Sequence, residues 1–286
     1  MAVLGALTIA FSAILVRLAG VSPSTAAIFR CAYALPVLGG LAWWEWRRFG
    51  PRSPRERALA VVAGILFAAD LLCWHHAIAD VGAGLATVLG NLQVAFVPFL
   101  AWAVLAERPG RRILASLPLA LGGVVLISGV LERGAYGSDP VGGMVFGLAT
   151  GITYAGFILV LRHGNADLRR PAGPLFDATA TATVATLIAG LAIGDADLAP
   201  SWPAHGWLVT LALTSQVLGW LLISVSLPRL PAALTSLLLT IQPVASVVLA
   251  AVLLSESPTA LQLLGVVAVL AGVVSVTGSR QPAEAA

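Results

Sequence analysis

Apolar runs of about 20 residues, the length a helix needs to cross a hydrocarbon core, follow one another along this chain with only short connectors between them. Ten such runs are read at 3–19, 25–44, 58–78, 84–105, 112–131, 141–161, 174–193, 206–227, 232–254 and 260–277. Over 286 positions, 59% of residues are hydrophobic and 10% charged, against about 25% charged in a typical soluble domain. A water-soluble fold of this length could not hide so much apolar surface, because its exterior still has to face water. A bilayer lifts that demand, provided helices satisfy the backbone polar groups internally. The expected fold class is therefore an all-α polytopic membrane protein of ten transmembrane helices. No connector is long enough for a soluble domain, so any chemistry takes place inside the bundle or at its mouths. The first run starts at Val3 with no basic leader and no A-x-A site after it, so it reads as a retained span and not a signal peptide.

All 16 basic residues are arginines, and their placement is uneven. Arg47, Arg48, Arg52, Arg55, Arg57, Arg108, Arg111, Arg112, Arg162, Arg169, Arg170, Arg229 and Arg280 fall in the even-numbered connectors and the C-terminal tail. The odd-numbered connectors hold only Arg17 and Arg133, alongside Asp80, Glu132, Asp139, Asp195, Asp197 and Glu256. The positive-inside rule then puts both termini in the cytoplasm of a multi-pass protein in the inner (plasma) membrane. The net charge of +3 implies no nucleic-acid partner, because the arginines sit in short loops. Trp43, Trp44, Trp46, Trp202 and Trp207 lie near span ends, where aromatic belts form. Cys31 and Cys73 lie inside apolar runs, and no disulfide is expected.

The chain also repeats itself. Residues 84–128 align without a gap onto 233–277 at a constant offset of 149. Thr87 meets Ser236, Asn91 meets Thr240, Gln93 meets Gln242, Glu107 meets Glu256 and Pro109 meets Pro258. Apolar stretches match by chance, but two Gln, two Glu and two Pro in one register do not come easily that way. Two halves of five spans each, 1–135 and 136–286, must enter the membrane from opposite sides. The charges agree, since Arg108, Arg111 and Arg112 follow Glu107 while Ser257, Ala260 and Leu261 follow Glu256. Two inverted five-helix repeats, with a site near the midplane between them, are the pattern of secondary transporters.

The aligned segments, AGLATVLGNLQVAFVPFLAWAVLAERP and PAALTSLLLTIQPVASVVLAAVLLSESP, each precede a GGVV- or AGVV-type span. They resemble the EamA-type drug/metabolite transporters, as does the second span with Arg30 in AAIFRCAY, and the resemblance covers essentially the whole chain. It implies ten spans, cytoplasmic termini, and a cavity lined by spans other than the fifth and tenth. The chain is also similar to the aromatic amino acid exporter branch. The family often has Gly before the Glu at which this chain has Ala106 and Ser255.

Polar groups at membrane depth mark a pathway by default. Asp70, mid-span, has to face water, pair with a cation or take up a proton. Arg30 is open to pairing with Asp70, binding a substrate carboxylate or snorkelling to the interface. Trp74 lies one turn from Asp70 and shares its face. His75 and His76 point about 100° apart. They cannot easily chelate one metal, so one is expected at the cavity or outer mouth and the other against a neighbouring helix. On the fourth span Thr87, Asn91, Pro98 and Trp102 form one stripe, matched by Ser236, Thr240 and Pro243 on the ninth. Gln93 and Gln242 fall on another face and read as interhelical hydrogen bonds. Tyr154 offers an aromatic wall, with Thr150 and Phe157 on its stripe. Gln216 and Trp220 stand at i, i+4. Asp177 sits near the cytoplasmic edge, and Glu107 and Glu256 read as connector anchors.

A cavity with few fixed charges and several aromatic and amide groups suits an amino acid or similar small metabolite. A nucleotide sugar or sugar phosphate would want several buried cations, and only Arg30 is available. An intramembrane lipid- or peptide-modifying enzyme is the reading from a different class, but H-E-x-x-H, G-x-S-x-G and carboxylate pairs at helical spacing are absent from the sequence. No cofactor or metal is expected. The partners are the small-molecule substrate and the lipid bilayer. The oligomeric state is not legible in the residues, and a monomer would suffice.

Overall fold

The computed structural model describes residues 2–105, 111–127, 131, 135–164, 167, 169–226 and 241–277. Regular structure among them is all helical: α1 (Ala2–Ala10), α2 (Ser12–Ala19), α3 (Pro23–Ala32), α4 (Leu35–Phe49), α5 (Pro54–Gly90), α6 (Gln93–Leu105), α7 (Arg111–Ile127), α8 (Pro140–Gly164), α9 (Ala172–Ile193), α10 (Ala204–Leu211), α11 (Trp220–Ser226), α12 (Ile241–Leu254) and α13 (Ala260–Thr277). A π-helical segment, Ala212–Gly219, joins α10 to α11. Among the described residues, five continuous stretches are long and apolar enough to cross a membrane: Pro23–Phe49, Pro54–Gly90, Pro140–Gly164, Ala172–Ile193 and Ala204–Val225. Shorter apolar helices cover Leu4–Ala19, Leu114–Ile127, Gln242–Leu254 and Ala260–Gly272.

The 37-residue α5 merges two of the expected spans, and the junction is Gly82, at φ 84°, ψ 170°. The chain reverses there. Trp74 lies beside Gly90, with an indole carbon 3.7 Å from where a Cβ on residue 90 would be, although 16 residues of straight helix would separate them by about 24 Å. The glycines of α8 trace both limbs. Gly143, Gly156 and Gly164 approach Val81, Leu66 and Leu59 in turn, while Gly147 and Gly151 approach Leu89 and Phe96. So α8 runs antiparallel to the limb before Gly82 and parallel to the limb after it. Few other residues could replace Gly82, because a side chain at that φ is strained.

Several helices break where side chains compete for the backbone. Pro36 has no N–H to offer the Ala32 carbonyl, and the chain turns at Tyr33 and Ala34 between α3 and α4. The Ser12 hydroxyl donates to the Ile9 carbonyl at 2.5 Å, beside the break at Phe11. The Thr87 hydroxyl donates to the Ala83 carbonyl (2.7 Å), and the Asn91 amide donates to the Thr87 carbonyl (2.9 Å) just before the turn at Asn91 and Leu92.

Contacts among connectors fall into two sets. At one end, the Ser22 hydroxyl donates to the Asp195 carbonyl, the Ser138 amide to the Asp80 carbonyl (2.8 Å), and the Ala83 and Gly84 amides to the Glu256 carboxylate (2.7 and 3.1 Å). At the other, Arg170 reaches the Gly50 carbonyl (3.0 Å), Arg52 pairs with Asp177, and the Glu45 carboxylate accepts the Ala172 and Gly173 amides (2.9 and 2.7 Å). Two contacts mirror each other. Glu45 holds the amide of Gly173, and Asp195 accepts the amide of Ser24 at 3.3 Å. Ser24 and Gly173 are 149 positions apart, and Glu45 and Asp195 are 150 apart. Similarly, α7 packs on α13 with Gly123 against Val269 and Gly272 against Ala120, again positions related by 149. Small residues let these two backbones approach closely. The outward faces are apolar, with Leu119, Leu121, Val184, Ile188, Leu264 and Val267 all more than two-fifths exposed, as a lipid-facing surface requires.

Candidate functional site

The helix breaks converge on one cavity. Its wall takes Ile9 and Ser12 from the break between α1 and α2, Arg30 from the end of α3, and Phe67, Asp70, Leu71 and Trp74 from the first limb of α5. Thr87, Gly90 and Asn91 from the second limb, Thr150 and Tyr154 from α8, Trp220 from α11 and Gln242 from the start of α12 complete it. The free space is about 40 Å³, room for roughly three water molecules and too little for an amino acid.

Arg30 is 3% exposed and Asp70 6%. They share this cavity without forming an ion pair with each other, the described ion pairs all lying elsewhere. The Arg30 Nε donates to the Gln216 side-chain oxygen at 3.0 Å, and the Gln216 amide donates to the Thr179 hydroxyl at 3.1 Å. The π-helical turn carries Gln216 between the two; such turns often sit at functional sites. The Arg30 guanidinium also faces the Trp74 ring (5.6 Å) and the Phe67 ring (6.0 Å), within cation–π range. The terminal nitrogens of Arg30 and the carboxylate of Asp70 have no hydrogen-bond partner among the described residues. The Asn91 side-chain oxygen and the Trp220 indole nitrogen are fully buried with no hydrogen-bond partner among the described residues. Native folds rarely leave such groups empty-handed. Behind them, Trp220 stands edge-on to Tyr154 (5.9 Å) and Phe157 (5.0 Å), and Phe67 stacks on Phe157 (4.5 Å).

Arg30, Asp70, Trp74, Asn91, Tyr154 and Trp220 lie together on the cavity wall, and Gln216 reaches it by holding Arg30. Of the three arrangements open to Arg30, neither an ion pair with Asp70 nor an outward snorkel is present. His75, His76 and Trp102 are not in the wall. His75 is buried with its Nδ1 at 3.2 Å from the Pro23 carbonyl, and His76 stacks on Phe146 at 4.9 Å. Trp102 is 49% exposed, because the turn at Asn91 and Leu92 resets the helical register and ends the stripe begun by Thr87 and Asn91. Gln242 lines the cavity, where helical extrapolation had turned it away. Thr240, Ser236 and Glu107 lie outside the described residues, as does the side chain of Pro98. Ile9, Ser12, Phe67, Leu71 and Gly90 were not foreseen; none carries a signal distinguishing it from ordinary packing. Asp177 is engaged by Arg52 near the edge, and Glu256 fixes the chain reversal at Gly82 rather than only a connector.

No curated protein sequence matches the chain. A solved crystal structure superposes with a TM-score of 0.63 over 96% of this chain and 94% of its own, at 14% identity, and so shares the fold. The model of the EamA-like transporter family matches residues 1–129 and again residues 141–278. With nearly all the chain covered by those two matches, the chain belongs to the EamA-like transporter family and is a multi-pass membrane transporter of small molecules.

Proposed function

We propose that this protein is a secondary exporter or exchanger of amino acids or similar small zwitterions. It works by alternating access between two inverted five-helix halves, 1–135 and 136–286. The observation that carries the substrate reading is a guanidinium and a carboxylate, Arg30 and Asp70, on the wall of one cavity with no ion pair between them. A buried guanidinium and carboxylate would ordinarily neutralise each other; held apart, they complement a carboxylate and an ammonium on one molecule. The orphaned indole N–H of Trp220 can donate to the carboxylate, and the orphaned oxygen of Asn91 can accept from the ammonium. Phe67, Tyr154 and Trp220 supply an apolar surface for a side chain. A phosphorylated cargo would need more cations than Arg30 alone.

The mirrored contacts at Glu45 and Asp195, and again between α7 and α13, support the inverted arrangement. Ten spans follow from it, with the arginine-rich end and both termini facing the cytoplasm of the inner membrane. A cavity too small for its cargo has to widen before transport, and rocking of one half on the other would open either mouth.

Counterflow in proteoliposomes tests the reading. Liposomes preloaded with an unlabelled amino acid are expected to take up the same labelled amino acid faster than empty ones, for at least one member of a twenty-amino-acid panel. Arg30→Gln and Asp70→Asn are expected to reduce that exchange by at least about tenfold, the loss of one charge-assisted contact. Folded protein that exchanges no amino acid would overturn the substrate class.

A further inference from the structure

A second cavity, larger than the first, lies at the arginine-rich end between α4 and α9. It holds about 220 Å³. Its lining combines Arg52, Arg57 and Arg170 with Gly39, Ala42 and Phe176. Trp43 and Trp46 flank it, each about half exposed. It shares no lining residue with the cavity around Arg30 and Asp70.

Two of its three arginines already have a carboxylate partner, and the third has none among the described residues. Its two carboxylates are already occupied: Glu45 accepts the Ala172 and Gly173 amides, and Asp177 pairs with Arg52. Arg170 is held by Asp167 and the Gly50 carbonyl. Arg52 keeps one terminal nitrogen buried and unpaired, and Arg57 is exposed with no ion pair among the described residues. The site therefore offers one exposed guanidinium, that of Arg57, without a carboxylate to match it, beside the paired Arg52 and Arg170 and the apolar lining residues. A soluble anion would use only the arginines and leave Gly39, Ala42 and Phe176 bare. A zwitterionic headgroup would bring an ammonium against the arginines.

From this we infer that the groove between α4 and α9 binds an anionic phospholipid. The phosphate meets Arg52 and Arg57, and the acyl chain lies along Gly39 and Phe176, with Trp43 and Trp46 as side walls. Arginine suits a phosphate because its fork can bind two oxygens at once. The assignment does not depend on the identity of the cargo.

Native mass spectrometry of the full chain in neutral detergent tests it, with phosphatidylglycerol, phosphatidylcholine and inorganic phosphate as probes. Phosphatidylglycerol is expected to stay bound at concentrations at least tenfold lower than phosphatidylcholine. Arg57→Gln should weaken it about fivefold and the Arg52→Gln/Arg57→Gln pair about thirtyfold, from about fivefold per arginine near a lipid surface. Arg111→Gln, at an exposed position on α7, should change nothing. If the Arg52 variant fails to fold, Arg57→Gln alone decides. Equal retention of the two lipids, wild-type binding by the arginine variants, or displacement of the lipid by inorganic phosphate at equal concentration would each overturn the assignment.

Discussion

Replacing Gly82 with alanine perturbs the reversal that turns α5 back along α8. Two costs add. At φ 84°, ψ 170° a side chain is strained by about 1–3 kcal/mol. The new Cβ would also lie 2.7 Å from one Glu256 carboxylate oxygen and 2.8 Å from the other. The carboxylate must then shift and stretch its bonds to the Ala83 and Gly84 amides, now 2.7 and 3.1 Å. Hydrogen bonds to a charged group contribute about 1.5–3 kcal/mol each, so Gly82→Ala should cost about 3–5 kcal/mol if one of them is lost. Glu256→Ala removes both acceptors and should cost about 2–4 kcal/mol, more than an ordinary capping loss because the site is buried. With the carboxylate gone, Gly82→Ala retains only its backbone strain. The double variant should therefore be more stable than the sum of the single costs by about 1.5–3 kcal/mol. Thermal unfolding in detergent, followed by tryptophan fluorescence, reads all four corners of this cycle. Additive losses would show that the carboxylate does not seat against residue 82, and a harmless Gly82→Ala would refute the reversal itself.

Three further outcomes are expected. Gly123→Leu should lower the melting temperature, because its Cβ would lie 2.7 Å from the Gly265 carbonyl oxygen and 2.8 Å from the Val269 nitrogen; overpacking of this kind costs about 1–3 kcal/mol. Its neighbour Gly122, with nothing within 4 Å of a Cβ, should accept leucine with little change in the same melt. Hydrogen bonds from Arg169 and Arg170 hold the Asp167 carboxyl well below the usual range. Its stabilising contribution is thus complete above about pH 4 and is lost as pH falls through the lowered value, so Asp167→Asn should flatten melting temperature against pH only in that acidic window. Asp70→Asn should flatten the pH dependence of counterflow in proteoliposomes, since it removes the one carboxylate on the described cavity wall; an unchanged profile would leave Asp70 no part in proton coupling.

The helical class was legible because runs of apolar residues the length of a bilayer have no other stable use. Asp70 with Trp74 and Thr87 with Asn91 could be placed together because each pair lies on an unbroken helical limb, where a spacing of four means one face. Beyond a break that arithmetic fails. Trp102 drops out of its stripe after the turn at Asn91 and Leu92. The two histidines show a different limit: periodicity says that neighbours diverge by about 100°, not which of them finds a partner. Here His75 is spent on the Pro23 carbonyl and His76 on the Phe146 ring. The offset of 149 made Glu107 and Glu256 equivalent, yet it said nothing of what either touches. That Glu256 holds the amides after Gly82 depends on a contact across 173 residues.

The account rests most heavily on the opposed orientation of the two halves. Arg111 begins α7, Ala260 begins α13, both side chains are exposed, and the internal repeat makes them equivalent. In protein with Cys31 and Cys73 replaced, Arg111→Cys and Ala260→Cys are to be labelled in intact cells with a membrane-impermeant maleimide. Ala260→Cys should react from outside and Arg111→Cys only after permeabilisation. Labelling of both from the same side would contradict the inverted architecture and the alternating-access mechanism built on it.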